Sequence, residues 1–176
     1  MADVNEEIIT QYLKIVKRWF YVTDISFKVN RGNSNIDILA FDPFKSKYYD
    51  IEVKFRSRYT ISAKPKEKTD TSMNSMTWFI RQFSIYPERD STIKKYTNTK
   101  PIKILVTTKQ LLGMSEKKRQ QLETTFKKEM EDKGFKESAI WYFDDIIKEL
   151  YNRIEICGRY NTELLQTIRM IKTYKP

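Results

Sequence analysis

The run Asn35-Ile36-Asp37-Ile38-Leu39-Ala40, followed after a turn by Tyr49-Asp50-Ile51-Glu52-Val53-Lys54-Phe55, sets the reading of the whole chain. Side chains alternate across a strand, so Ile51, Val53 and Phe55 share one face, and Asp50, Glu52 and Lys54 share the other. By the same alternation Ile36 and Ile38 oppose Asp37. Between the two runs, Asp42-Pro43-Phe44-Lys45-Ser46-Lys47 has the composition of a hairpin turn. Pairing the runs brings Asp37 beside Glu52, and two carboxylates then converge next to one ammonium. Adjacent carboxylates repel, and burial raises their pKa values. A divalent cation resolves the conflict, because two carboxylates offer hard oxygen ligands. Such a cation polarises a phosphoryl oxygen and acidifies a water, while Lys54 orients that water or neutralises the developing phosphorane charge. The plainer reading of the same residues is a solvated strand face with cross-strand charge pairing.

Composition narrows the chemistry. The chain has 176 residues, 40% of them hydrophobic and 14% aromatic, which suits a single domain with a real core. With 32% charged residues and a mean hydropathy of -0.64 it reads as a soluble protein. No apolar run is long enough to span a bilayer, and the acidic start Met-Ala-Asp-Val-Asn-Glu-Glu has no apolar signal core. An intracellular, cytoplasmic location is therefore expected, and a virus- or plasmid-encoded protein acting in a host cell fits equally. The chain contains no histidine, which removes Ser-His-Asp triads, Cys-His pairs, histidine general bases and nearly every zinc site. The one cysteine, Cys157, precludes an intramolecular disulfide and reads as a small packing residue near a helix end. A catalytic metal here must be hard and oxygen-bound, so Mg2+ or Mn2+ lead. The net charge of +10 and pI near 9.5 favour a polyanionic partner, above all nucleic acid, over a membrane surface.

Working outward, residues Asp3 to Phe20 carry apolar side chains at helical spacing, and Ile25 to Val29 alternate as a strand. Arg31-Gly32-Asn33-Ser34 has turn chemistry. Strands follow at Ile36 to Phe41 and Tyr48 to Phe55. Ser57 to Asp70 reads as a loop, and Thr71 to Tyr86 as a helix that Pro87 ends. Ile102 to Val106 is an apolar strand. Ser115 caps a helix with the stripe Leu122, Phe126, Met130 and a stop at Gly134. Ala139 to Phe143 is another strand, with helices capped by Asp144 and Asn161 after it. This order predicts an α/β fold with one mixed sheet, helices on both faces, and a single domain over residues 1–176. Its core spans about 5–110 and an αβα extension about 111–176.

Asp37 followed by Glu52-Val53-Lys54, set in the order helix, three strands, helix, strand, resembles the PD-(D/E)xK, or restriction-endonuclease-like, nuclease superfamily. Ile36 stands where the motif's name has proline, a position that varies among members. The resemblance implies a restriction-endonuclease-like core (αβββαβ) and metal-dependent hydrolysis of DNA phosphodiester bonds. It implies that Asp37 and Glu52 bind Mg2+ or Mn2+, that the Val53 carbonyl adds a ligand, and that Lys54 serves the attacking water. Members near the archaeal Holliday-junction resolvases and Mrr-type enzymes also carry a glutamate on the first helix. Glu6 lies on the inward stripe with Ile9 and Leu13 and is favoured over Glu7, which aligns with the solvated side. Gln82 and Tyr86 match the Gln-x-x-x-Tyr pattern of RecB-like nucleases, which places both side chains on one helical face.

Between Lys54 and Lys68 stand six basic residues against one acid, the densest positive stretch near the motif. Arg56, Arg58, Lys64 and Lys66, with Arg31 and Asn33 ahead of Asp37, are candidate phosphate contacts. DNA is the expected partner and RNA an alternative; cutting two strands suggests a homodimer. Two competing readings are a nucleic-acid-binding module that keeps the fold without catalysis, and a protein-interaction domain in which Asp37, Glu52 and Lys54 form a salt-bridge cluster.

Overall fold

The computed structural model of the chain describes residues 4–30, 32–55, 76–113 and 115–174. Helix α1 (Val4–Tyr12) runs into a π-helical turn (Leu13–Lys17), which closes on Arg18 in the left-handed region at φ 60°. Strands β1 (Phe20–Val29), β2 (Gly32–Asp42) and β3 (Lys47–Val53) form an antiparallel meander. After α2 (Met76–Ser84) and α3 (Pro87–Ile93), strand β4 (Ile102–Thr107) pairs parallel to β3. Short α4 (Lys109–Leu112) and long α5 (Glu116–Asp132) lead to β5 (Ser138–Tyr142), parallel to β4, and then α6 (Phe143–Arg153) and α7 (Glu163–Tyr174). The sheet order is β1-β2-β3-β4-β5, mixed as the sequence implies.

Period-two patterning puts apolar side chains on both sheet faces, and each face has its own cover. Ile38, Ala40, Ile51, Val53, Ile104 and Val106 bury against α1 and α6. Across the sheet, Leu105 joins Phe79, Phe83, Leu122, Phe126 and Met130 from α2 and α5. The stripe predicted for α5 is thus its buried face. Fully burying each such side chain contributes about 1.5–3 kcal/mol. Among the described residues, no helix is long and apolar enough to cross a membrane.

Several boundaries differ from expectation. Pairing of β1 with β2 continues to Val29–Gly32, so Asn33 and Ser34 are strand residues rather than turn residues. Gly32, at φ 121°, takes the backbone geometry that closes this hairpin. The helix expected up to Tyr86 ends at Ser84, and Pro87 opens α3 at its first turn, where a missing N–H costs nothing. Ser115 stands at the N-terminus of α5 without a side-chain cap bond, and Tyr142, not Asp144, precedes α6. The Asp144 carboxylate instead accepts from Lys109 N–H at 2.9 Å, and Thr162 rather than Asn161 accepts from Leu165 N–H at the start of α7. Cys157 is exposed, not packed, because the chain has already left α6 at that point.

Candidate metal centre

Asp37 sits where the meander loosens. The β1–β2 register runs through Thr23–Ile38 and resumes at Ile25–Ile36, and between them Asp24 adopts φ 53°. The registered β2–β3 pairs also stop at Ile38–Ile51. Just beyond that point Val53 N–H donates to Asp37 Oδ2 at 2.7 Å, a side-chain acceptor continuing the ladder. Strict alternation fails on the same side: Ile38 joins the α1–α6 core, whereas Ile36 packs with Ile25, Phe27, Leu39 and Ile93. Asp37 is therefore held by a backbone donor at a split between strands.

Glu52 and Lys54 lie on the far side of that split. Lys54 follows β3 directly; its N–H donates to the Val106 carbonyl at 2.9 Å, and its own carbonyl accepts from Thr107 Oγ1 at 3.0 Å. Its ammonium lies 2.6 Å from Glu52 Oε1 and 3.7 Å from Asp37 Oδ2. The convergence expected from the sequence is present. Exposure is low: 15% for the Asp37 side chain, 5% for Glu52 and 23% for Lys54.

The face bearing Asp50, Glu52 and Lys54 is no solvated surface. Asp50 is fully buried, where Arg89 Nη2 and Lys103 Nζ meet its two oxygens at 2.6 and 2.8 Å. Arg89, from α3, also brings Nη1 to 2.8 Å from Glu52 Oε2. That approach is an ion pair off the hydrogen-bond direction, and Oε2 has no hydrogen-bond partner among the described residues. Lys103 reaches on to Asp90 Oδ1 at 2.8 Å. Sequence reasoning missed Arg89 and Lys103. The available signal was Lys103 itself, a lone charge inside the apolar run Ile102 to Val106.

The local electrostatics follow from this layout. Burial, then the neighbouring Glu52 charge, push the Asp37 carboxyl up to about 7, against the pull of Lys54 and the Val53 N–H. Burial alone would raise Asp50, but Arg89 and Lys103 outweigh it and hold the carboxyl at about 2. Burial opposes the Lys54 charge, and Glu52 and Asp37 reverse that effect and raise its pKa. Across the connected network four carboxylates (Asp37, Asp50, Glu52 and Asp90) face three cations. Among the described residues the fourth acid is Asp90, half-exposed at one end of this chain of contacts, and the buried part sets Asp37, Asp50 and Glu52 against Lys54, Arg89 and Lys103.

That pair fits a hard divalent cation. Both donors are oxygen, Glu52 Oε2 is buried with an ion-pair contact to Arg89 but no hydrogen bond, and the Asp37 carboxyl is raised by burial and by the Glu52 charge, a repulsion that a divalent ion would relieve. Among the described residues no group of three or more acidic or sulfur side chains is arranged to hold a metal, so Glu6 does not join Asp37 and Glu52 as a third donor. Glu6 and Glu7 are both half-buried on α1. Val53 meets the site through its N–H, which fixes Asp37.

The remaining candidates lie apart. Asn33 is exposed on β2, four residues or about 13 Å before Asp37 along the strand. Arg31, Arg56, Arg58, Lys64 and Lys66 lie outside the described residues. Gln82 is on α2, and its carbonyl accepts from Arg89 Nη1 at 3.2 Å. Tyr86 is extended (φ -119°, ψ 108°) after the helix has ended, and its ring packs edge-on to Phe27. The two do not share a helical face, because the chain leaves α2 before reaching Tyr86.

No family model matches the chain, and no curated protein matches it. Among solved structures it is similar to the crystal structure of AF1548, a protein of unknown function, with 15% identity and a TM-score of 0.42. That similarity covers 90% of this chain and 74% of the other.

Proposed function

We propose that this chain is a metal-dependent nuclease with a restriction-endonuclease-like core, hydrolysing DNA phosphodiester bonds. The observation that carries the reading is the convergence of Asp37, Glu52 and Lys54 within salt-bridge distance at the end of β3, with one carboxylate driven to a pKa of about 7. Two carboxylates forced together beside an amine are costly to bury, and a hydrated cation makes the arrangement useful. Asp37 and Glu52 would hold Mg2+ or Mn2+, which supplies polarisation of a phosphoryl oxygen. Val53 fixes the Asp37 carboxylate through its N–H, and its carbonyl is an additional donor in this proposal. Arg89 balances Glu52 at Oε2 and Lys54 meets Oε1, so an ion held by Glu52 and Asp37 would displace the Lys54 ammonium from Glu52. Lys54, kept charged by its two acidic neighbours, orients the attacking water or neutralises charge growing on the phosphoryl oxygens. The net charge of +10 supplies affinity for the phosphodiester backbone, and two copies of the chain would cut two strands.

A panel of linear, flapped, four-way and single-stranded DNA, incubated with Mg2+ or Mn2+, tests the proposal. Nicking that EDTA abolishes, and that Glu52→Gln or Asp37→Asn lowers by about 100-fold or more, is the expected result. Variants that cleave like the parent chain would remove the assigned site. One observation favours a second reading, a nucleic-acid-binding module without catalysis. Lys54 already closes on Glu52 at 2.6 Å, as a structural ion pair would. That module would bind the same panel with a steep salt dependence and cut none of it.

A further inference from the structure

Two loops far apart in sequence, one after α3 and one after α5, meet at the N-terminal end of β4. Between them lies a cavity of about 440 Å³. Lys94 and Lys100 come from the first loop, Lys133 and Lys136 from the second, and all four are exposed. None of the four closes a salt bridge among the described residues, although Lys133 lies near enough to Glu129 to act on its charge. The two acids that line the cavity are already engaged. Asp90 pairs with Lys103 at 2.8 Å, and Glu137 pairs with Lys47 at 2.9 Å. The cavity therefore gathers four lysine ammoniums, none of them closed into an ion pair. The neighbouring cavity of about 810 Å³ beside β5 shares Lys136 and Glu137 with it and is lined by four lysines and four acids.

The wall is apolar as well as basic. Ile93, Pro101, Ile102 and Phe135 line it, and the Asn98 amide stands at its rim. A duplex is convex and too broad to enter a space of this size, which suits a small ligand. We infer that this cavity binds a nucleoside phosphate. The lysines meet the phosphates, the apolar wall takes the sugar and base, and Asn98 offers both a donor and an acceptor to the base edge. Lysines brought together from separate loops repel one another, and an anionic ligand relieves that repulsion. The pairing of Ile102 with Tyr49 sets this cavity about five residues, or roughly 17 Å, from Lys54. It includes neither Asp37 nor Glu52, although Asp90 and Lys103 in its wall belong to the same ion-pair network, and the inference stands whether or not that pair is catalytic.

Calorimetric titration of the full chain with ATP, AMP, adenosine, inorganic phosphate and a short DNA duplex tests it. Saturable ATP binding below about 1 mM is expected, with AMP and phosphate weaker and adenosine absent. Lys94→Glu combined with Lys133→Glu takes one lysine from each loop and should weaken ATP binding at least tenfold. Both side chains are exposed, so an unchanged melting temperature verifies the fold. Four results would overturn the inference: no saturable ATP binding, unchanged affinity in the folded double variant, adenosine binding as tightly as ATP, or binding by the duplex alone. Inorganic phosphate as tight as AMP would remove the nucleoside from the assignment.

Discussion

At the scale of single residues, Arg89 does what no sequence motif announces. It is the shared counter-ion of Asp50 and Glu52 and is 2% exposed. Removing one partner from a buried ion pair leaves the other uncompensated, which costs about 3–5 kcal/mol. Arg89→Met should lower the urea midpoint accordingly, and Arg89→Lys should recover only part of it, since one ammonium cannot span two carboxylates. Protonation makes a second residue-scale test. The Asp37 carboxyl is raised to about 7 in the folded chain from an ordinary value near 3.8. Between those values the folded state binds the extra proton, so this group's contribution is full below pH 4 and is lost as pH rises through 7. With EDTA present, stability should fall by a few kcal/mol across that window, and Asp37→Asn should flatten the slope. Asp50 has the opposite sign. Held at about 2, it stabilises above its ordinary value of 3.8 and loses that contribution as pH drops toward 2. Melting curves at closely spaced pH values separate the two.

Elements show what was legible and why. The β2–β3 hairpin and its acid–acid–lysine grouping could be read from the chain, because period-two alternation fixes which side chains share a face. Apolar stripes likewise gave α5 and the strands β4 and β5. What alternation cannot give is the cover on a face. Asp50 looked like a solvated charge until α3 laid Arg89 over it and β4 set Lys103 opposite it in register. Pro87 is ambiguous in one dimension, since the same residue ends one helix and begins another. The strand split at Asp37 was also invisible, because it depends on Asp24 entering the left-handed region. That conformation invites a test: Asp24→Val should destabilise by about 1–2 kcal/mol in urea, and Asp24→Gly should be neutral or stabilising. If Val were accepted freely, the left-handed turn would not be what parts the strands.

For the whole molecule, a surplus of positive charge stands beside one buried point where two carboxylates are pressed together. The chain as a whole has a net charge of +10, whereas among the described residues the buried Asp37, Asp50 and Glu52 are matched only by Lys54, Arg89 and Lys103. Under the proposed function a divalent ion would relieve the repulsion between Asp37 and Glu52, and a polyanion would meet the positive surplus. Diffraction from crystals soaked in Mn2+ asks the question directly. The account predicts one anomalous peak about 2.1 Å from an oxygen of each carboxylate, with the Lys54 ammonium drawn away from Glu52. A fully bound control ion elsewhere, with no peak between residues 37 and 52 and Lys54 still closed on Glu52, would contradict it.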